Sequence, residues 1–351
     1  MSPGRAHLLT LGAALAVASL GGCATTGAAG EGDRDLPTAG VGPFRKLDAD
    51  EVQGIAPFVL DDRDARYREP AALADGEATI LYAVARREGR DVLVRSRAAD
   101  GRSFYGTSAD FGRSPPTVLA ADLPWEGADL SGPFAVRVGA EIFLYYAGDD
   151  GVGLARSADG LSFRKEAGPV LAADPSSTWE TTPPRAPSVV VLPDGRLRMF
   201  YAAGVAIGEA ESADGIRWRR LDADPSTPAQ DPVHGPAPPP APGSLLPNEK
   251  PPFDTASVGD PSASLRLTPA GRLHVRVLYT GAQASGATAI GFAARYGTGG
   301  PLVRQAAPVY SVGQREAAPA LRETEAGTFL YVQQDRRADE RTIYPAVAAA
   351  F

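Results

Sequence analysis

Three stretches of this chain repeat one another. They are Ser157-Ala158-Asp159-Gly160-Leu161-Ser162-Phe163, Ser212-Ala213-Asp214-Gly215-Ile216-Arg217-Trp218 and, more loosely, Ala98-Ala99-Asp100-Gly101-Arg102-Ser103-Phe104. An apolar, aromatic segment precedes the first two, at Ile142 to Gly148 and at Leu197 to Gly204. Self-similarity at a period of roughly 50 to 60 residues predicts a radial array of small sheets, none of which can bury its faces alone. Within each copy, aspartate bonds its own backbone and glycine takes the left-handed position, so the unit itself reads as a turn.

A second mark fixes the phase of the repeat. Proline opens a short strand upstream of each aromatic segment, at Pro70, Pro133, Pro187, Pro261 and Pro319. Proline donates nothing to a ladder, so it belongs at the first residue of a strand. An aromatic-acid pair stands eight residues before three of these prolines: Trp125-Glu126, Trp179-Glu180 and Phe253-Asp254.

The order inside a module is constant. A proline-led strand meets a glycine turn such as Pro193-Asp194-Gly195, and a half-buried strand such as Arg272 to Tyr279 follows. A third strand runs into the Asp-Gly turn, and a fourth lies outside it. Four strands per unit with no helical period predict an all-β fold, a five-bladed β-propeller of four-stranded antiparallel blades. The last module supplies only three strands, and Phe44 to Leu60 looks like the missing fourth, an N-terminal strand that closes the ring. Asp222 to Pro252 is a proline-rich insertion, including Pro236 to Pro242, whose composition predicts an excursion that does not pack.

The N-terminus has a separate purpose. Residues 1–22 carry a basic Arg5, an apolar run from Leu8 to Leu20, and small residues before Cys23, the pattern of a secretory leader. Leu20-Gly21-Gly22-Cys23 resembles a bacterial lipobox, which would make Cys23 the lipidated N-terminus; an ordinary cleaved leader is the alternative. Residues 23–43 then read as a flexible tether and 44–351 as the propeller. Cys23 is the single cysteine, so no disulfide is expected. Anchoring to a bacterial envelope membrane through the lipid follows, and Ala24 after the cysteine favours the outer membrane. The net charge of −7 argues against nucleic acid as a partner. A monomer is expected.

The run Pro187-Ser188-Val189-Val190, then Asp194-Gly195-Arg196-Leu197-Arg198-Met199-Phe200-Tyr201-Ala202-Ala203-Gly204, then Ser212 to Trp218 resembles five-bladed propellers of the arabinanase, xylosidase, levansucrase and invertase superfamily, glycoside hydrolase families 43, 62, 32 and 68. The resemblance spans the chain from about residue 44. Sialidase-type propellers fit less well, because their Asp-boxes place one more residue between aspartate and glycine.

The resemblance implies a carbohydrate partner and a site at the mouth of the central channel, with carboxylates beside the proline-led strands. A base and an acid there flank a glycosidic bond, and a third carboxylate tunes the acid. Glu69 stands where the base is implied, and Asp260 near the acid. Ala186 occupies the slot of the third carboxylate, and Gly132 and Ala318 the remaining two. Arg68 and Arg185 are candidates to bind sugar hydroxyls or a sugar carboxylate, or else to neutralise neighbouring acids. Trp125 and Trp179 would either stack on sugar rings or anchor the turns between blades. No metal-ligand spacing is present, since His234 and His274 stand alone. No cofactor is expected from the residues, and a central Ca2+ would come from the resemblance only. A catalytically inactive propeller, serving carbohydrate binding or protein assembly, is the second reading.

Overall fold

A computed structural model describes residues 42–47, 67–102, 104, 114–242, 244, 249–313, 315–324, 327–337 and 340–348. Cys23, the leader, the tether to residue 41 and the segment from 48 to 60 lie outside the described residues.

The chain is an all-β propeller of antiparallel sheets. Strand β1 is Arg45–Lys46. A first sheet follows in meander order: β2 (Tyr67–Asp75), β3 (Ala78–Arg87), β4 (Arg90–Ala98) and β5 (Thr117–Leu119). In the second, β6 (Ser131–Val138), β7 (Glu141–Gly148) and β8 (Gly151–Ser157) are succeeded by two short strands, β9 (Arg164–Lys165) and β10 (Leu171–Ala172), both paired with β8. The third holds β11 (Arg185–Val191), β12 (Leu197–Ala203), β13 (Ala206–Ser212) and β14 (Arg219–Leu221). The fourth holds β15 (Ser257–Leu267), β16 (Leu273–Ala282), β17 (Thr288–Tyr296) and β18 (Val303–Arg304). The fifth combines β19 (Ala317–Thr324), β20 (Gly327–Arg337) and β21 (Glu340–Ala348) with β1, which pairs Arg45 with Val347 and Lys46 with Ala346.

In the first three sheets the second strand is buried on both faces because both are covered. β3 is buried continuously from Ala78 to Ala85, β7 from Ile142 to Ala147, and all of β12 is buried. A half-solvated strand would alternate instead. Five clusters form between neighbouring sheets, and one of them packs Phe329, Tyr331 and Ile343 of the fifth against Leu81, Val92 and Val94 of the first.

The repeated Asp-Gly turns join these neighbours. Tyr82 Oη donates to Gly160 O of the following sheet (2.9 Å), Tyr145 Oη to Gly215 O (3.0 Å) and Tyr331 Oη to Gly101 O (2.6 Å). Each turn is tied internally as well: the Asp159 carboxylate accepts from the amides of Leu161 and Ser162, Asp214 from those of Ile216 and Arg217. Glycine is required at Gly215 for two reasons. Its φ is +77°, and an added Cβ would stand 2.7 Å from the Tyr145 hydroxyl.

The proline-rich insertion departs from expectation. Residues 231–237 pack instead of looping away: Val233, His234 and Ala237 are buried. His234 and Ile207 exchange both backbone hydrogen bonds, and the Leu302 amide donates to Val233 O. Averaged composition hid the cause, which is that Val233 joins the apolar cluster between the third and fourth sheets.

Candidate active site

The prolines do not open their strands as expected but stand two to four residues inside β2, β6, β11, β15 and β19. These five strands converge on one cavity of about 160 Å³, and the residue before each proline faces its rim. All five of these residues share one backbone conformation. Glu69 has φ +52°, Gly132 +53°, Ala186 +45°, Asp260 +45° and Ala318 +49°. At each slot the ladder to the next strand skips register, between Arg68 and Ala71 for instance, or Gly259 and Ser262. The slots are β-bulges, which re-aim a side chain away from the sheet. Only Gly132 adopts this left-handed turn without strain; for each of the other four it costs about 1–2 kcal/mol.

Bonds from adjacent sheets hold the bulges. The Glu69 amide donates to Gln333 Oε1 of β20 (3.3 Å), and the Ala318 amide to Thr280 Oγ1 of β16 (2.9 Å). The Gly132 amide donates to Glu69 Oε2 at 2.6 Å, so one carboxylate spans the first and second slots. Between the second and third slots there is no room for more: a Cβ on Gly132 would lie 2.8 Å from Ala186 Cα.

Glu69 and Asp260 therefore face one space, and Ser262 is the remaining polar side chain on its wall. Glu69 also accepts from Arg68 Nε at 3.1 Å. Burial pushes the Glu69 carboxyl above the usual carboxylate range; Arg68 and the Gly132 amide oppose the rise, and the Asp260 charge adds to it. Asp260 is half-buried, and its carboxylate makes no hydrogen bond or ion pair among the described residues. One acid that resists ionisation beside an unpartnered one is the electrostatic form of a proton-transfer pair.

The other candidates are dispersed. Arg68 turns its outer nitrogens away from the cavity to pair with Asp91, so it neutralises two acids. Arg185 is exposed next to Ala186 and forms no hydrogen bond or ion pair among the described residues.

Trp125 and Trp179 do not line the cavity. They belong to a thrice-repeated clamp. Trp125 stacks on Tyr146, Trp179 on Tyr201 and Phe253 on Tyr279, with ring centroids 5.8, 6.0 and 6.1 Å apart. The adjoining acid accepts from that tyrosine: Glu126 from Tyr146 (2.6 Å), Glu180 from Tyr201 (2.6 Å) and Asp254 from Tyr279 (2.8 Å). An outer-strand cation completes each clamp, as Lys165 on Glu126, Arg220 on Glu180 and Arg304 on Asp254. Glycines clear the space, since a Cβ on Gly148 or Gly153, Gly204 or Gly208, Gly281 or Gly291 would strike the clamp beneath it. Stacking on a sugar by either tryptophan is thus replaced by anchoring. The eight-residue offset signals the clamp, and so does the glycine that follows each clamp tyrosine two or three residues on, at Gly148, Gly204 and Gly281.

No group of three or more His, Cys, Asp or Glu side chains is placed to hold a metal among the described residues. The cavity's two carboxylates, one already engaged by Arg68 and Gly132, fall short of the six to eight oxygens that calcium takes. The two carboxylates alone do not make a site for that ion.

No family model and no curated protein sequence matches the chain. Solved structures do. A protein described as belonging to the GH130 family, "mannoside phosphorylases" that include glycoside hydrolases targeting β-1,2 mannosidic linkages in Candida mannan, superposes with a TM-score of 0.62 at 17% identity, over 90% of this chain and 98% of its own. A glycosyl hydrolase from Bacteroides ovatus gives 0.63 at 16%, over 90% and 97%. A thermostable family-43 glycoside hydrolase gives 0.58 at 14%, over 83% and 92%. The chain is similar to glycoside hydrolase propellers in fold.

Proposed function

We propose that this chain is a glycosidase-like, five-bladed propeller of the bacterial envelope, in which Glu69 and Asp260 form an acid/base pair that cleaves a glycosidic bond. The observation that carries the reading is their convergence: two acids from non-adjacent sheets, 191 positions apart in sequence, share one small cavity, where the Asp260 charge adds to the rise that burial gives the Glu69 carboxyl. The neighbours' names support carbohydrate as the partner. The five sheets serve as blades, and β1 completes the last. Lipidation at Cys23 holds the monomer at the outer membrane, a reading that rests on the lipobox pattern.

In this mechanism a terminal sugar ring enters the mouth. A cavity of about 160 Å³ has room for one ring at most, well under the roughly 300–1,000 Å³ of larger ligand pockets. Glu69, whose proton is held by burial, donates it to the leaving oxygen as the anomeric carbon–oxygen bond breaks. Asp260 accepts a proton from the water that attacks that carbon. These roles are the reverse of those implied by the family resemblance, because burial raises the Glu69 carboxyl above the usual carboxylate range. Arabinosyl, xylosyl and fructosyl linkages are the first substrates to test, with mannosyl added from the neighbour's description.

A second reading, a binding or assembly propeller without catalysis, is favoured by one observation. Ala186 stands where a third carboxylate would tune the acid, and the Gly132 contact leaves that side closed. A glycan hydrolysis screen with Glu69→Gln and Asp260→Asn separates the two. Cleavage lost in both variants supports the enzyme, whereas binding to a glycan array without any cleavage supports the module. Acyl labelling that disappears in Cys23→Ser tests the anchor.

A further inference from the structure

Arg68 is the only cation that touches Glu69 among the described contacts, and it meets Glu69 with one nitrogen of three. Nε donates to Glu69 Oε1 at 3.1 Å, while Nη1 donates to Asp91 Oδ1 at 3.1 Å and Nη2 to Asp91 Oδ2. The planar fork, which binds a carboxylate best with two parallel bonds, is spent on Asp91. Asp91 is the second residue of β4, away from the cavity wall, and is buried. Its place is fixed from several sides: its amide donates to Asp129 Oδ1 (2.7 Å), its carbonyl accepts from the Leu130 amide (3.0 Å), and Arg86 Nη1 stands 3.2 Å from its carboxylate.

We propose that Asp91 is a positioning residue for the channel site: by holding the Arg68 fork, it leaves Glu69 a single guanidinium bond and so keeps that carboxyl able to carry a proton. The inference rests on reading Glu69 as the proton donor, and it names the residue that makes it one. The groups that act most strongly on Glu69 among the described residues are these. Arg68 lies on the same strand, Asp260 across the cavity on β15, and the Gly132 amide on β6, with the neutral Gln333 bonded to the Glu69 amide from β20. Arg68 divides its nitrogens between Glu69 and Asp91, and Asp91 holds two of the three. The same pairing holds the Asp91 carboxylate below its ordinary range, because Arg68 and then Arg86 outweigh its burial. Asp91 thus stays charged and keeps its hold wherever Glu69 titrates.

The test reads Glu69 directly, with no substrate present. The chain from Ala24 onward, which retains every described residue, is labelled with 13C at the glutamate carboxyls and titrated by NMR. The Glu69 signal is assigned by its absence in Glu69→Gln. In Asp91→Asn the freed fork swings onto Glu69, and proton binding there weakens tenfold or more. In Arg68→Met proton binding tightens about tenfold. In the double variant Asp91→Asn changes the Glu69 midpoint by less than threefold, because there is no fork left to release. Unchanged or tighter proton binding in Asp91→Asn overturns the proposal. So does an equal weakening in the Arg68→Met background, which would mean that the substitution merely opened the site to water. If no glycan is ever cleaved, the reading as a hydrolase fails while this titration still stands or falls by itself.

Discussion

Two sets of carboxylates recur in this molecule at fixed distances from the same prolines, and they are treated in opposite ways. Glu126, Glu180 and Asp254 sit in the clamps, fully buried or nearly so, each with a tyrosine hydroxyl and a cation bonded to it. Glu69 and Asp260 sit in the channel with fewer partners: one guanidinium nitrogen and one amide for Glu69, and no hydrogen bond or ion pair for Asp260 among the described residues. A satisfied acid in a dry site fixes geometry, whereas an under-satisfied acid in a cavity is free to exchange a proton. The two sets differ in burial as well as in partners: the clamp acids are buried, whereas Glu69 and Asp260 are half-buried.

The contrast can be broken most sharply at the channel. Glu69→Gln and Asp260→Asn should each lower hydrolysis by about 10²–10⁴-fold, the usual worth of a positioned general acid or base, while thermal melting stays close to wild type. The next largest effect lies at a clamp. Glu180→Ala leaves the half-buried Arg220 and the buried Tyr201 hydroxyl without their carboxylate and should cost about 3 kcal/mol in denaturant unfolding, with the activity of the folded fraction retained. Gly215→Ala should cost about 2 kcal/mol, since it forces a side chain into a left-handed turn and against Tyr145. If Glu180→Ala abolished activity without destabilising the fold, the division into anchoring and chemical acids would collapse.

Two pH effects sharpen the comparison further. His234 is buried neutral between the third and fourth sheets, and burial, then the Arg304 charge, lowers its pKa to about 3. The unfolded chain binds a proton at this position below about pH 6.5 while the folded chain does not. Stability from His234 is therefore complete above pH 6.5 and is lost as pH falls towards 3. His234→Phe should flatten that limb in unfolding measurements. Glu69 works in the other direction. Its raised pKa means that the folded state holds the proton longer, so stability falls as pH rises through the folded value. Glu69→Gln should be more stable relative to wild type at pH 7 than at pH 4.

Much of this architecture was legible in the residues. The five prolines gave the phase, and with it the strands that line the cavity and the two acids on its rim, because proline's missing amide confines it to strand starts or bulges; here each stands at a bulge inside its strand, not at the start. The Asp-Gly turns were readable as turns, though not as the acceptors for tyrosines of the preceding sheet, since nothing local marks a partner some 70 positions away. The positive φ at all five slots was invisible for the same reason. Glycine announces that conformation only at Gly132, while at Glu69, Ala186, Asp260 and Ala318 it is imposed by neighbouring sheets. Arg68 and Asp91 share the difficulty: 23 positions separate them, and their pairing exists only because β2 and β4 flank β3. The insertion misled because its many prolines hid the one valine that packs.

The most direct test of the account is a sugar-release assay over a panel of arabinosyl, xylosyl, fructosyl and mannosyl substrates, run on the wild type, Glu69→Gln and Asp260→Asn, with melting curves taken on the same samples. The account predicts release by the wild type, a loss of at least a hundredfold in both variants, and melting temperatures that do not fall. Undiminished release by either variant, or no release by the wild type on any substrate, contradicts it.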